Sequence, residues 1–427
     1  MRHDLPSACG WGRGWHLDTC AAVLAALSTL VLAGGLRPAS AQDALNTPAK
    51  ALAYEKADRM PATSFYDTAS PLPAGRPGQL IRSEATAGYA LPPGVRAVRI
   101  LYHSRSAAGR DVPASGVVLL PAGNPPTGGW PVIVWAHGTS GVARICAPSM
   151  MKDIYYGNEG LFPMVQAGFA VVAVDYAGLG TDVPHQYISL PAQANDVING
   201  VTAAREAVPH LSSRWVVDGH SQGGGAAWLV AQQPAVLRNR DFLGAVSVAG
   251  AVNMPSLMHY IAVNDSDAFY AVFLAYGIKA RFPQFNVADM LTKPAFAQYR
   301  AMTTQGCWSY GYATQLSHLL GKIAVKPHFG DNAWVKKFVA QNAVFAHRPT
   351  RPLLVLAGGA DHSVPPQTIQ EVAARACRLG YHLKFRIFPG LDHDPLMDKS
   401  TPYQLRWIRA RFAGEPAPDN CATLVKR

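Results

Sequence analysis

The chain has 427 residues, 49% of them hydrophobic, so it is long enough to bury a substantial core. Its formal net charge is +11, but no run of basic residues is interleaved with aromatic residues, which argues against a nucleic-acid partner. We expect a solvated basic surface, which is compatible with transient contact with an anionic lipid interface.

The first 41 residues have the features of a secretory signal peptide. Arg2 and Arg13 precede an apolar run at 20–36, and residues 39–41 read Ala-Ser-Ala, a signal-peptidase pattern. The apolar run is shorter than the roughly 20 residues that a membrane-spanning helix needs. An uncleaved membrane anchor is the alternative. We therefore expect a mature chain of residues 42–427 that is secreted, either periplasmic or extracellular.

Four of the six cysteines lie in the expected mature chain, at Cys146, Cys307, Cys377 and Cys421. They are far apart and include no C-x-x-C motif, which argues against a zinc site. Four cysteines in an exported protein predict two disulfides, and the residues alone leave three pairings open.

The body of the chain alternates between strand and helix patterns. Residues 42 to about 92 are rich in Pro, Ala and Gly and predict an irregular N-terminal arm. Short apolar runs then recur between turn signals at 96–104, 114–123, 130–138, 169–180, 214–224, 242–252, 351–363 and 382–390, with helical patterns at 191–208 and 223–233. Continuous Val, Ile and Leu runs are typical of strands buried on both faces of a parallel sheet. The sequence therefore predicts an α/β fold, with helices on both faces of a mostly parallel central sheet.

The interval from 253 to 350 interrupts this alternation. It is far longer than the roughly 2–6 residues of a usual strand–helix connection, so it must carry structure of its own. Apolar and aromatic runs at 254–263 and 267–282 have helical character. Because the segment is inserted between two core strands, we interpret it as a helical cap that covers the site and forms an acyl pocket. A packed subdomain without a role is the alternative.

The segment Gly219-His220-Ser221-Gln222-Gly223 matches the G-x-S-x-G pattern of a nucleophilic serine on a sharp turn. A strand-like run precedes it and a helical pattern follows, which is the context that this pattern requires. Gly219 and Gly223 flank the serine where the turn leaves no room for a Cβ atom. A serine in a glycine-rich loop is the alternative for these five residues alone. In its context, we predict that Ser221 is the nucleophile.

A nucleophilic serine needs an imidazole to accept its proton and a carboxylate to orient that imidazole. Asp361 follows a buried strand-like run, and His393 lies in a Pro/Gly-containing loop after the last such run. The resulting chain order, serine, then aspartate, then histidine, is that of α/β-hydrolases. We therefore predict Asp361 as the acid and His393 as the base.

Other histidines and aspartates lie near the predicted acid and base. His362 follows the acid directly, and His220 lies inside the sharp turn, where we expect its ring to point away from the serine. Asp392 and Asp394 flank His393, but sequence neighbours in a turn seldom orient each other's rings. We expect these two aspartates to shape the loop.

Negative charge that develops on a substrate oxygen needs hydrogen-bond donors, usually the backbone N–H after the nucleophile and one from an earlier loop. Gln222 follows the nucleophile and supplies the first donor. The second lies in the loop that begins at His137, where Thr139 is our candidate and Gly138 the alternative. An ordinary turn is the other interpretation of this loop, but its position after a core strand favours a functional role.

Several segments together resemble the secretory lipase family of the α/β-hydrolase superfamily. The resemblance rests on HGTSG at 137–141, CAPS at 146–149, DYAGLGTDVPHQYI at 175–188, GHSQGGGAAW at 219–228, and the late loops of Asp361 and His393. The turn around the serine is general to the superfamily, whereas DYAGLGT with a following His-x-Tyr is more specific. The resemblance extends from about residue 60 to the end of the chain.

This resemblance implies an α/β-hydrolase fold with an inserted helical cap, and a lipase or carboxylesterase with the triad Ser221, Asp361 and His393. We expect it to cleave acyl esters or triacylglycerols through an acyl-serine intermediate. No metal or organic cofactor is expected, because the triad and backbone donors cover the chemistry. A serine acyltransferase or peptidase, and a non-catalytic binding protein on the same fold, are the alternatives.

The resemblance also implies how the cysteines pair. It joins Cys146 to Cys307 and Cys377 to Cys421. The first of these bonds would tie the cap to the core near the oxyanion loop.

Overall fold

A computed structural model, which describes residues 45–264 and 267–426, contains nine strands in a single sheet. The strands are β1 (Leu80–Thr86), β2 (Arg96–Arg105), β3 (Asp111–Leu120), β4 (Trp130–Ala136), β5 (Ala170–Val174), β6 (Leu211–His220), β7 (Phe242–Val248), β8 (Leu353–Gly358) and β9 (Leu383–Phe388). Their order in space is β1-β2-β3-β5-β4-β6-β7-β8-β9. The predicted signal peptide at 1–41, with Cys9 and Cys20, lies outside the described residues.

The sheet is antiparallel at one side and parallel over the rest of its width. The pairs β1–β2, β2–β3 and β3–β5 are antiparallel, and every pair from β5 through β4 to β9 is parallel. All residues of β5 and of β8 are buried. Such strands need continuous apolar runs because both of their faces are covered. The predicted mostly parallel sheet is therefore confirmed.

Thirteen α-helices accompany the sheet in the described part of the chain. They are α1 (Pro48–Asp58), α2 (Phe162–Gln166), α3 (Leu190–Ala207), α4 (Gln222–Val230), α5 (Pro234–Leu237), α6 (Met254–Val263), α7 (Phe269–Arg281), α8 (Lys293–Thr304), α9 (Trp308–Leu316), α10 (Ala333–Gln341), α11 (Pro366–Arg378), α12 (His393–Phe412) and α13 (Cys421–Leu424). None of the helices described here is long and apolar enough to cross a bilayer.

Helices cover both faces of the sheet, each over its own apolar core. On one face, Val197 of α3, Ala226 of α4 and Ile369 of α11 pack against side chains of the parallel strands. On the other, Phe162 of α2 and Trp407 of α12 do the same. The predicted α/β architecture with helices on both faces is thus confirmed, and it leaves the carboxyl ends of the strands free to carry a site.

The sequence predicts an irregular N-terminal arm, but in the structure this part of the chain contains α1 and β1. Helix α1 buries Ala51 alone, and its Glu55 accepts hydrogen bonds from the backbone N–H groups of Cys307 and Tyr310 at 2.9 and 2.8 Å. Strand β1 is an edge strand without a buried residue. Both elements depend on contacts with distant parts of the chain, so their own sequences carry weak periodic signals.

Five helices, α6 to α10, fill the segment between β7 and β8, where the sequence predicts helices. They contribute most of a second apolar cluster, which includes Phe269, Phe273 and Phe338 and is completed by Tyr187 and Ile188 from the core. A disulfide between Cys146 and Cys307 joins this segment to the loop after β4.

A second disulfide, between Cys377 and Cys421, joins α11 to α13. The structure therefore contains both disulfide bonds that the family resemblance implies. The first closes a sequence separation of 161 residues and the second one of 44.

Candidate active site

Ser221 occupies the turn between the end of β6 and the start of α4, with φ 57° and ψ −118°. A positive φ is costly for a residue other than glycine, and such strain is often found at functional sites. The close packing around the turn explains its glycines. A Cβ atom on Gly219 would lie 2.3 Å from the carbonyl oxygen of Gly223, and one on Gly223 would lie 1.8 Å from that of Ala136.

His393 and Asp361 are in direct contact at the ends of neighbouring strands. The Nδ1 atom of His393 lies 2.8 Å from Oδ2 of Asp361. The other carboxylate oxygen, Oδ1, accepts the backbone N–H groups of Ser363 and Val364 at 2.9 and 2.8 Å. These bonds fix the carboxylate, which in turn orients the imidazole ring.

His393 is the first residue of α12, so its predicted position in a Pro/Gly loop needs correction. The Asp392 carboxylate accepts the backbone N–H of His393 at 2.8 Å, and also that of His362 at 3.1 Å. An aspartate at the residue before a helix satisfies an N–H that the helix leaves free. Asp392 therefore starts the helix that holds the predicted base.

Two effects of opposite sign act on the pKa of His393. Burial lowers it, because an apolar environment disfavours the imidazolium. The Asp361 carboxylate opposes burial through its charge and its hydrogen bond, and the charges of Asp394 and Asp267 act in the same direction. The result is a pKa raised to about 9.

Asp267, two positions before α7, is a carboxylate near the base that the sequence did not single out. Burial raises its pKa to about 6, and this rise is opposed by the positive charge of His393 and a hydrogen bond from Ser363. No motif marks this aspartate, because only the folding of the segment between β7 and β8 brings it to the strand ends.

The side chain of His220 packs against the predicted base, His393. Its ring centroid lies 4.6 Å from that of His393, and its Nε2 atom is 3.2 Å from the backbone carbonyl oxygen of His393. Burial, followed by the charge of His393, lowers the pKa of His220 to about 4. The ring is therefore neutral near pH 7.

Among the described residues, one group of side chains has the composition of a metal site. Ligand atoms of His220, His393 and Asp394 lie within 4.8 Å of one another, and zinc accepts such ligands. However, Nδ1 of His393 is already bonded to Asp361. The predicted base needs its remaining nitrogen for the serine proton, so we interpret the group as the surroundings of that base rather than as a metal centre.

The loop after β4 lies next to the serine. A Cβ atom on Gly138 would lie 3.5 Å from the Cβ atom of Ser221, and Thr139 lines the same cavity as Ser221. Gln222 is the first residue of α4, and the first N–H groups of a helix have no partner within it. The backbone groups predicted to stabilise an oxyanion are thus close to the serine.

Three tyrosine hydroxyls hold this loop in place. Tyr176 donates to the carbonyl oxygen of His137 at 3.0 Å, and Tyr155 donates to the carbonyl oxygen of Thr139. The hydroxyl of Tyr187 lies 2.8 Å from Oγ1 of Thr139. The sequence singled out none of these roles, although Tyr187 belongs to the His-x-Tyr motif that carries the family resemblance.

A cavity of about 40 Å³ opens at the serine. Its lining is largely apolar, and part of it comes from the segment between β7 and β8. These residues are Leu257, Ile261, Tyr270 and Leu274, which belong to α6 and α7. An apolar wall beside a nucleophile suits the hydrocarbon part of a substrate.

The fold resembles solved structures of hydrolases. Lipase A from Candida antarctica has a TM-score of 0.69 and 16% identity, with 84% of this chain and 87% of that chain covered. The rice cell wall degrading esterase LipA from Xanthomonas oryzae has a TM-score of 0.63 and 18% identity, with 79% and 97% covered. At these identities the likeness shows a common fold.

No curated protein matches the chain. The family model described as secretory lipase, however, matches residues 153–420, which is more than half of the chain. The match includes the serine turn, both predicted triad partners and the segment between β7 and β8. It supports a hydrolase of the lipase and esterase class, and the chain belongs to the secretory lipase family.

Proposed function

We propose that the protein is a secreted serine hydrolase that cleaves carboxylic esters of lipid or other acyl substrates. The observation that carries this proposal is the 2.8 Å contact between His393 and Asp361, together with a serine held at φ 57° on a strand–helix turn. The residue before this serine, His220, packs with its ring centroid 4.6 Å from that of His393. A buried carboxylate that orients an imidazole near a strained serine is the arrangement that acyl transfer needs. Family membership supports the same reaction class.

In this mechanism, Oγ of Ser221 attacks the ester carbonyl carbon while its proton moves to Nε2 of His393. The carbonyl oxygen becomes an oxyanion and accepts hydrogen bonds from the backbone N–H groups of Gln222 and Thr139, with Gly138 as the alternative to Thr139. When the intermediate collapses, the bond to the alcohol breaks, and His393 protonates the departing alkoxide.

A water molecule completes the cycle. It attacks the acyl-serine carbonyl carbon and gives a proton to His393, which returns this proton to Ser221 as the carboxylic acid leaves. Asp361 remains ionised and stabilises the imidazolium in both halves of the reaction. His393 thus relays each proton that moves, and the backbone donors stabilise the negative charge on the carbonyl oxygen.

We propose that residues 253–350 act as a cap over this site. The apolar side chains that α6 and α7 contribute to the cavity support this role, since they face the nucleophile across a narrow space. Two solved structures with this fold are named as a lipase and as a cell wall degrading esterase, and both names are compatible with an ester substrate.

We also propose export of the chain after removal of residues 1–41. Family membership supports export, and so do the disulfides Cys146–Cys307 and Cys377–Cys421, because disulfides persist in oxidising compartments.

The proposal is tested by assaying the purified mature chain on p-nitrophenyl esters of graded acyl length. Ser221→Ala is expected to abolish turnover, whereas Ser213→Ala, a matched change at an exposed serine, retains it. Turnover by Ser221→Ala equal to that of the wild type would exclude the proposed nucleophile. The dependence on acyl length distinguishes the substrate classes, because a steep fall beyond short chains indicates an esterase rather than a lipase.

A further inference from the structure

Thr139 lies in the loop beside the serine, and its hydroxyl forms a hydrogen bond with one buried tyrosine. The hydroxyl of Tyr187 is 2.8 Å from Oγ1 of Thr139, and both residues line the cavity that contains Ser221. The carbonyl oxygen of Thr139 is engaged separately by the hydroxyl of Tyr155. Tyr187 therefore contacts the hydroxyl of Thr139, whereas Tyr155 contacts its carbonyl oxygen.

Packing holds Tyr187 firmly against the core and against α7. The side chain is buried, and its ring meets that of Phe273 edge to face with centroids 6.1 Å apart. Its backbone lies so close to α7 that a Cβ atom on Gly277 would come within 2.4 Å of the Tyr187 carbonyl oxygen. This packing gives the tyrosine hydroxyl a fixed position.

The direction of the hydrogen bond decides what the threonine can do. Burial raises the pKa of Tyr187, with the hydrogen bond to Thr139 acting in the opposite direction, so the phenol keeps its proton at neutral pH. A hydroxyl group has one proton to donate and can also accept. If Tyr187 donates to Oγ1, the Thr139 proton is free to point into the cavity.

We propose that Tyr187 is a positioning residue that donates to Thr139, so that the Thr139 hydroxyl gives the oxyanion a third hydrogen bond besides the two backbone donors. This proposal rests on the proposed function and assigns a role to the His-x-Tyr motif. A donor held in place before the reaction stabilises developing charge without the cost of reorganisation.

A double-mutant cycle tests the coupling between the two hydroxyls. Tyr187→Phe and Thr139→Val each remove one hydroxyl with little change in shape, and each is expected to lower kcat about tenfold or more with a small change in KM. The double variant should lose no more than Thr139→Val alone, because the tyrosine acts through the threonine. Thr139→Ser, which keeps the hydroxyl, should restore kcat to near the wild-type value, and Tyr299→Phe on α8 is a matched control that should leave it unchanged.

A transition-state analogue separates positioning from a structural role. A trifluoromethyl ketone forms a tetrahedral oxyanion adduct with a nucleophilic serine, so Tyr187→Phe should weaken its binding by about the same factor as it lowers kcat. Retention of wild-type kcat by Tyr187→Phe, or independent multiplicative losses in the cycle, would overturn the inference. Activity in Ser221→Ala would instead refute the proposed function, so the two failures are distinguishable.

Discussion

His393 and Asp361 are 32 positions apart in sequence, yet their side chains meet at 2.8 Å. Asp361 follows β8, and His393 begins α12 after β9; these strands are parallel neighbours, so their carboxyl ends lie side by side. Asp361 is fully buried and is bonded to the backbone N–H groups of Ser363 and Val364. A carboxylate with this many fixed partners can orient the imidazole through the whole reaction.

This contact predicts an activity that rises with pH into the alkaline range. His393 serves as a base only when neutral, and its pKa is raised to about 9, so the neutral fraction grows as the pH approaches that value. The logarithm of kcat/KM against pH is expected to rise with a midpoint near 9, well above the usual histidine value of about 6.5.

Asp361→Asn provides the control for this pH dependence. Without the carboxylate, burial dominates and the pKa of His393 should fall, while kcat falls on the order of 10⁴-fold. NMR titration of the His393 ring in both proteins measures the pKa directly. A wild-type midpoint at or below 6.5, or an unchanged pKa in Asp361→Asn, would contradict the assignment.

The parallel strands and the turn at the serine could be predicted from the sequence because local patterns carry both. A continuous apolar run such as Ala170–Val174 is typical of a strand buried on two faces, and a serine between glycines identifies the turn. Roles that arise from contacts between distant segments were not predictable. Tyr187 and Asp267 reach the site only through the fold, and α1 depends on α9 for the partners of Glu55.

The glycines of the serine turn make a prediction about stability. Gly223→Ala would place a Cβ atom 1.8 Å from the Ala136 carbonyl oxygen, so β4 and α4 would have to separate. We expect the free energy of unfolding to fall by about 1 to 3 kcal/mol, and the activity to be lost. Gly330→Ala is the matched control, because a Cβ atom there meets nothing within 4 Å. Equal stability of the two variants in urea denaturation would refute this packing argument.

The two disulfides should differ in what their removal changes. Cys146–Cys307 closes a separation of 161 residues and Cys377–Cys421 one of 44, for which chain entropy gives about 5 and about 4 kcal/mol. The first bond lies beside the loop after β4 that contains Thr139, since Ser140 Oγ donates to the Cys146 carbonyl oxygen at 2.8 Å. Paired alanine substitutions at 146 and 307 should therefore lower both unfolding free energy and kcat.

The second disulfide serves as the comparison for the first. Paired alanine substitutions at Cys377 and Cys421 should lower the unfolding free energy without a change in kcat, because neither residue lines the cavity at Ser221. Equal effects of the two pairs on kcat would show that the first disulfide does not support the site.

The hydrogen bonds of Glu55 stabilise the start of α9, one of the helices between β7 and β8. Its carboxylate accepts the N–H groups of Cys307 and Tyr310, at the start of α9. Glu55→Ala leaves both donors without this partner and is expected to destabilise that end of the helix by about 1 to 2 kcal/mol. Hydrogen exchange at the two amides should accelerate, and the exposed Glu415→Ala should leave it unchanged. Unchanged hydrogen exchange at both amides in Glu55→Ala would refute this capping role.

Covalent labelling of Ser221 tests the central claim most directly. A fluorophosphonate reacts with a serine whose proton is taken up by a base, so mass spectrometry of the labelled mature chain should place one phosphonyl group on Ser221. Labelling should be lost in Ser221→Ala and strongly slowed in His393→Ala. Modification at another serine, or undiminished labelling of Ser221 in His393→Ala, would contradict the proposed triad.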